Sequence, residues 1–133
     1  LIVAILVNVQ KQTLFTVEER MDMIREVTRA RGGVEVDHFE GLLVDYARRR
    51  GVHTVVRGLR AVTDFEYEFQ MALTNRHLDS EFESVFLMTS KDNAYLSATL
   101  VRQVAQFGGN VGSFVPSYVA CKLKEKFQTQ PEV

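Results

Sequence analysis

The chain opens with seven consecutive apolar residues, Leu1-Ile2-Val3-Ala4-Ile5-Leu6-Val7. A run of this kind is typical of a strand that is buried on both faces inside a parallel sheet. We expect the strand to span Leu1–Val9. Because such a strand rarely begins a fold, and neither an initiator Met nor a polar lead-in precedes it, we also expect the natural protein to have an N-terminal piece before Leu1.

Helix signals follow this strand at regular intervals. Thr16 and Glu19 have the spacing of a capping box and predict the start of a helix that Gly32-Gly33 ends. Asp64 is the expected N-cap of a later helix from Phe65 to about Leu78, and Ser97 is the expected N-cap of another.

The remaining elements complete an alternating pattern. Strands are predicted at Val34–Phe39, Thr54–Val56 and Ser84–Met88, and helices at Leu42–Arg50, Thr99–Phe107 and from Pro116 to near Phe127. Strands that alternate with helices predict an α/β fold with a mainly parallel sheet and flanking helices. We expect one domain over residues 1–127 and a frayed tail over 128–133.

Composition argues against several classes of protein and of site. Lys and Arg number 16 against 17 Asp and Glu, so no basic field favours a nucleic-acid partner. No apolar run reaches the roughly 20 residues of a membrane span. The lone Cys121 cannot form an internal disulfide and fits a reducing cytoplasm. The three histidines, His38, His53 and His77, lack the spacing of metal ligands, so no metal site is predicted in the protein.

Polar and basic residues follow three of the predicted strands. Lys11 follows the first strand, Arg57, Gly58 and Arg60 follow the third, and a longer loop leads to Ser97-Ala98-Thr99 at a helix start. Ligands of parallel sheets bind beyond the carboxyl ends of the strands, where cations and helix N-termini favour phosphate oxygens. The alternative is that these cations are solvated surface residues.

The third helix carries two different faces. Asp64, Glu68 and Asn75 share one stripe and are candidates to bind sugar hydroxyls or to orient the arginines, while a solvated helical face is the alternative. Arg57, at or inside the strand end, needs an anionic partner, which is either Asp64 or Glu66 or a bound phosphate. The residues thus predict an α/β domain that binds a phosphorylated small molecule or nucleotide, but they leave the reaction open.

One segment carries a specific resemblance. The stretch RGLRAVTDFEYEFQMA over 57–72, together with Asn75-Arg76, ESVFLM over 83–88, FTVEER over 15–20 and GLLVDYA over 41–47, closely resembles bacterial phosphopantetheine adenylyltransferase. The resemblance covers nearly the whole chain. It implies a Rossmann-like nucleotidylyltransferase fold and transfer of the adenylyl group of ATP to 4'-phosphopantetheine, giving dephospho-coenzyme A and pyrophosphate. It also implies Mg²⁺ supplied with ATP, a cytoplasmic homohexamer and feedback by coenzyme A.

The resemblance also implies the roles of individual residues. The catalytic residues of the family, which contact the reacting phosphates, are matched by Lys11, Arg57 and Arg60. The matching substrate-binding set is Lys11, Leu43, Arg57 and Asn75. The matching ATP-binding set is Gly58, Leu59, Arg60, Asp64, Glu68, Asn93, Leu96, Ser97, Ala98 and Thr99. No protein ligand to a metal is implied.

The chain departs from the family pattern at two places. The PGSFDP-like loop and the [TH]xGH motif of the family would precede Leu1, so a truncated, non-catalytic remnant that binds a phosphate ligand stays an alternative. The family loop that reads close to YSFISSS is here NAYLSAT over 93–99, so Ala98 lacks a hydroxyl and weaker ATP contacts are expected. A related nucleotidylyltransferase that acts on nicotinamide mononucleotide or glycerol phosphate is a further alternative.

Overall fold

A computed structural model describes residues 1–8, 12–60 and 62–128. In chain order its elements are β1 (Ile2–Leu6), α1 (Val17–Thr28), β2 (Glu35–Phe39), α2 (Leu43–Arg50), β3 (Thr54–Leu59), α3 (Val62–Leu78), β4 (Glu83–Met88), a 3₁₀ turn (Lys91–Asn93), α4 (Ala98–Gln106) and α5 (Ser117–Gln128). The predicted alternation of strands and helices is confirmed. Of the helices in these ranges, none combines the length and the apolar character needed to cross a bilayer.

The strands pair in parallel, as predicted, and form two two-stranded sheets. β1 pairs with β2, with Ile2 opposite Glu35, and β3 pairs with β4, with Thr54 opposite Glu83. The prediction that the first strand is buried on both faces is wrong for this structure: Ile5 is buried, but Leu6 is 51% exposed. A two-stranded sheet covers a smaller part of each strand than the wider sheet that the apolar run predicts.

The chain forms two compact units, each with its own core. One comprises Leu1–Glu40 and Leu96–Val133, and the other comprises Gly41–Tyr95. The core of the first is built around Val101, Val111 and Leu123, and that of the second around Val44, Ala47 and Phe82. A single domain over residues 1–127 therefore stays a prediction.

Local capping signals decide where most helices begin and end. Thr16 accepts a hydrogen bond from the Glu19 N–H, and the Glu19 carboxylate accepts one from the Thr16 N–H, which confirms the capping box. Gly51 closes α2 in the left-handed conformation with φ of 63°. The prediction that Asp64 is an N-cap is wrong, because α3 begins at Val62 and Asp64 lies in its first turn.

Candidate functional site

The third strand is longer than its sequence predicts. The expected loop at Arg57, Gly58 and Leu59 is instead part of β3, because these residues pair with Phe86, Leu87 and Met88 of β4. A Cβ atom added at Gly58 would have no neighbour within 4 Å among the described residues. Arg57 and Gly58 thus lie in the last half of β3, which ends at Leu59, and Arg60 follows the strand directly.

Arg57 is held by a carboxylate from the neighbouring helix. Its Nε donates to Oε2 of Glu68 at 2.7 Å, and its Nη2 donates to Oε1 of the same side chain. The Glu68 side chain is 12% exposed and that of Arg57 is 47% exposed. The hydrogen bond that Arg57 donates to Glu68 raises the pKa of Arg57, and partial burial opposes this effect. The sequence offers Asp64 or Glu66 as the acidic partner of Arg57, whereas in the structure the partner is Glu68.

A second arginine–carboxylate pair lies next to the first. Nε of Arg60 donates to Oδ2 of Asp64 at 3.2 Å, and both side chains are partly exposed. Asp64 and Glu68 are four residues apart, so they lie on one face of α3, one turn apart. These two pairs are the arrangement expected where the stripe orients the arginines, and binding of sugar hydroxyls by the same stripe stays a prediction.

The polar stripe of α3 is its buried side. Asn75 is 5% exposed. On the apolar stripe, the rings of Phe65 and Phe69 stack with their centroids 5.7 Å apart and are both exposed. The alternative prediction of a solvated polar face is therefore wrong for Glu68 and Asn75, while Asp64 on the same stripe is partly exposed.

The remaining predicted residues of this unit have different surroundings. Leu43 is the first residue of α2, and its side chain packs against the core around Val44, Ala47 and Phe82. Asn93 ends the 3₁₀ turn, and its Nδ2 donates to Oγ of Ser90 at 3.1 Å. Lys11 lies outside the described residues.

The start of α4, in the other unit, carries the predicted hydroxyls. Oγ of Ser97 accepts a hydrogen bond from the Leu100 N–H at 3.1 Å, which confirms Ser97 as the N-cap. Leu96 is half-buried, and Ala98 and Thr99 are exposed in the first turn. N–H groups at a helix start favour an anion through their dipoles.

The sequence prediction missed a cation at this helix start. Nε of Arg102 donates to the Ala98 carbonyl at 3.3 Å, and its Nη2 donates to Oγ1 of Thr99 at 3.4 Å. The guanidinium therefore lies over the first turn of α4. A basic residue four positions after Ala98 is the sequence signal that would have found it, since residues at this spacing share a helical face.

Residues 1–104 match the family model described as cytidylyltransferase-like. A phosphopantetheine adenylyltransferase of Anaeromyxobacter sp. (strain K) is 56% identical over 131 residues, which are 98% of this chain and 80% of the relative.

Relatives from other bacteria agree with this match. A phosphopantetheine adenylyltransferase of Caldanaerobacter subterraneus subsp. tengcongensis is 52% identical over 96% of this chain and 80% of its own length. A protein of the same name from Dictyoglomus thermophilum is 48% identical over 99% of this chain and 80% of its own length. The chain belongs to the cytidylyltransferase-like family and, within it, to the phosphopantetheine adenylyltransferases.

Proposed function

We propose that this protein transfers the adenylyl group of ATP to 4'-phosphopantetheine and releases pyrophosphate. The observation that carries the proposal is the identity of 48 to 56% with relatives named for this activity, over nearly the whole chain. The paired arginines at the end of β3 support it, because guanidinium groups are suited to binding phosphate.

The proposed reaction depends on positioning of the two substrates more than on covalent catalysis by the protein. An oxygen of the phosphopantetheine phosphate attacks the α-phosphorus of ATP in line. The new bond joins that oxygen to the α-phosphorus, and the bond from the α-phosphorus to the oxygen bridging to the β-phosphate breaks as pyrophosphate leaves. The attacking phosphate is ionised near neutral pH, so no general base is required. Orientation of the two substrates and stabilisation of the added charge then supply the catalysis.

The proposal assigns each predicted residue a role. Arg57 binds the phosphate of phosphopantetheine, while the backbone of Leu43 and the amide of Asn75 contact its pantetheine arm. Lys11 contacts the reacting phosphates. The ATP-binding residues in the proposal are Gly58, Leu59, Arg60, Asp64, Glu68, Asn93, Leu96, Ser97, Ala98 and Thr99. The place of Asn75 on the same stripe of α3 as Asp64 and Glu68 supports its part.

Mg²⁺ enters the proposal with the nucleotide. The described residues do not fit a resident metal site, because they include no group of three or more His, Cys, Asp or Glu able to hold an ion. Mg²⁺ commonly binds through substrate phosphates and keeps several waters. We therefore assign it to the ATP complex and derive no step through a protein-bound metal. A cytoplasmic location is part of the same proposal, since ATP is a substrate and the lone Cys121 fits a reducing compartment.

Assembly and feedback complete the proposal. Phe65, Phe69 and Leu73 share one stripe of α3 and are all exposed. Such an apolar stripe is typical of a surface that another chain covers, which supports a homohexamer. Coenzyme A contains the phosphopantetheine unit, so we expect it to inhibit in competition with that substrate. Light scattering after size exclusion tests the first expectation, and inhibition kinetics test the second.

Incubation of the protein with MgATP and one acceptor at a time tests the reaction. Mass spectrometry should detect dephospho-coenzyme A with 4'-phosphopantetheine and no adenylylated product with nicotinamide mononucleotide or glycerol 3-phosphate. Pyrophosphate should form in equal amount. Adenylylation of one of the other two acceptors in preference would overturn the substrate assignment. Absence of any product with all three would overturn the proposed reaction.

A further inference from the structure

We propose that Glu68 is a positioning residue for the acceptor substrate, and that it acts through Arg57. The inference rests on the proposed function and deepens it, because it adds a role toward the acceptor to the ATP-binding role proposed for Glu68. Both oxygens of the Glu68 carboxylate accept hydrogen bonds from Arg57, on the Nε and Nη2 edge of its guanidinium.

This clamp determines which part of the guanidinium faces a ligand. An arginine has five N–H donors, one on Nε and two on each Nη atom. Glu68 takes up one on Nε and one on Nη2, which leaves both N–H groups of Nη1 and the second one of Nη2. The Arg57 side chain remains 47% exposed, so these donors are accessible to a phosphate.

The surroundings of Glu68 make the clamp rigid. Glu68 is 12% exposed, whereas the apolar Phe65 and Phe69 on the same helix are exposed. A carboxylate this desolvated needs a cation with matched geometry, and a bidentate guanidinium provides it. Arg57 is itself fixed in β3 by pairing with Phe86. Helix and strand therefore hold the guanidinium in one orientation before substrate arrives, which lowers the cost of binding.

The test replaces the Glu68 carboxylate by an amide of the same shape, as Glu68→Gln, in the full-length protein. We expect KM for phosphopantetheine to rise about tenfold, because hydrogen bonds to charged groups have effects of this order. A rise confined to KM for ATP would overturn the inference, since it would mean that Glu68 acts on nucleotide binding alone.

The Arg57→Lys background distinguishes a positioning role of Glu68, which acts through Arg57, from a purely structural role, which does not depend on Arg57. Lysine cannot form the bidentate pair, so Glu68→Gln added to Arg57→Lys should change KM for phosphopantetheine by less than about twofold. The same tenfold effect in both backgrounds would show that Glu68 acts independently of Arg57 and would contradict the inference.

Glu83→Gln is the matched control. Glu83 pairs with Arg76 in the same unit, but both of these side chains are more than half exposed. This variant should leave both KM values unchanged. Thermal unfolding checks that each variant folds, and Glu68→Asp replaces Glu68→Gln if the latter does not. If the wild type forms no dephospho-coenzyme A, the proposed reaction fails, and calorimetric binding of phosphopantetheine to the same variants still decides the role of Glu68.

Discussion

Nζ of Lys126, near the end of α5, donates hydrogen bonds to both carboxylate oxygens of Glu19, at 2.7 and 3.0 Å. Glu19 is also the residue that closes the capping box at the start of α1. The ammonium group lies 5.7 Å from the centre of the Phe15 ring, just before that cap. One carboxylate therefore both caps α1 and joins it to α5, across 107 residues of sequence.

The Glu19→Gln substitution should separate these two roles. Glutamine at this position still accepts the capping hydrogen bond from Thr16 but loses the ion pair with Lys126. We expect a loss of about 0.5–1 kcal/mol in the free energy of unfolding, because the pair is partly exposed. Glu19→Ala loses the cap as well and should cost about 1–2 kcal/mol. Urea unfolding measures both, with Glu18→Gln in the same helical turn as the control that should have no effect.

The same pair predicts a dependence of stability on pH. The hydrogen bond from Lys126, followed by that from the Thr16 N–H, lowers the pKa of Glu19 below its ordinary range. The folded state thus binds this proton less readily than the unfolded state does. The stabilisation is present above the unfolded pKa and is lost as pH falls through the folded pKa.

Urea unfolding of wild type and Glu19→Gln, carried out from about pH 7 to about pH 3, measures this effect. The difference in the free energy of unfolding between the two proteins should be constant near neutrality and should shrink below about pH 4. A difference of the same size at both extremes would contradict the ion-pair explanation.

Arg48 joins α2 to the end of α3. Its Nε donates to Oδ2 of Asp79 at 2.9 Å, and its Nη2 donates to the Leu78 carbonyl at 3.0 Å. Lysine cannot make both bonds in this geometry, so Arg48→Lys should lower the free energy of unfolding by about 1 kcal/mol. The neighbouring Arg49→Lys is the control and should stay within about 0.5 kcal/mol of wild type in urea unfolding. Equal effects of the two substitutions would show that the bridge contributes nothing of its own.

Features set by neighbouring residues could be predicted, and features set by distant ones could not. Thr16 and Ser97 were identified as N-caps because a cap depends on three or four consecutive residues. The extension of β3 through Gly58 and Leu59 depends on pairing with β4, almost thirty residues away. Glycine disfavours a strand locally, so tertiary pairing overrides the local signal here.

In the candidate site, too, features set by neighbouring residues could be predicted and features set by distant residues could not. The acidic and amide stripe of α3 could be recognised from its spacing, but not which side of the helix is buried. Phe65 and Phe69 have the apolar character of a core face, yet they are exposed, while Asn75 is buried. Burial depends on what the fold places beside the helix, and that partner is not encoded within α3 itself. The family resemblance supplied the site residues that periodicity alone could not rank.

Ala98 offers a test of the nucleotide-binding prediction. It is exposed in the first turn of α4, where the family pattern has a hydroxyl residue. Ala98→Ser should lower KM for ATP by about three- to tenfold, as expected for one added hydrogen bond to a phosphate. KM for phosphopantetheine should not change. Steady-state kinetics measure both constants, with Ser113→Ala as a control outside the proposed site, and an unaltered KM for ATP would count against the prediction.

Binding of the acceptor's phosphate by Arg57 is the contact on which the proposed function depends most. Steady-state kinetics of wild type, Arg57→Ala and the control Arg49→Ala, with 4'-phosphopantetheine and ATP varied separately, test it most directly. We expect Arg57→Ala to raise KM for phosphopantetheine by about tenfold or more and to leave KM for ATP within about twofold, and we expect Arg49→Ala to change neither. An Arg57→Ala protein with an unchanged KM for phosphopantetheine would contradict it.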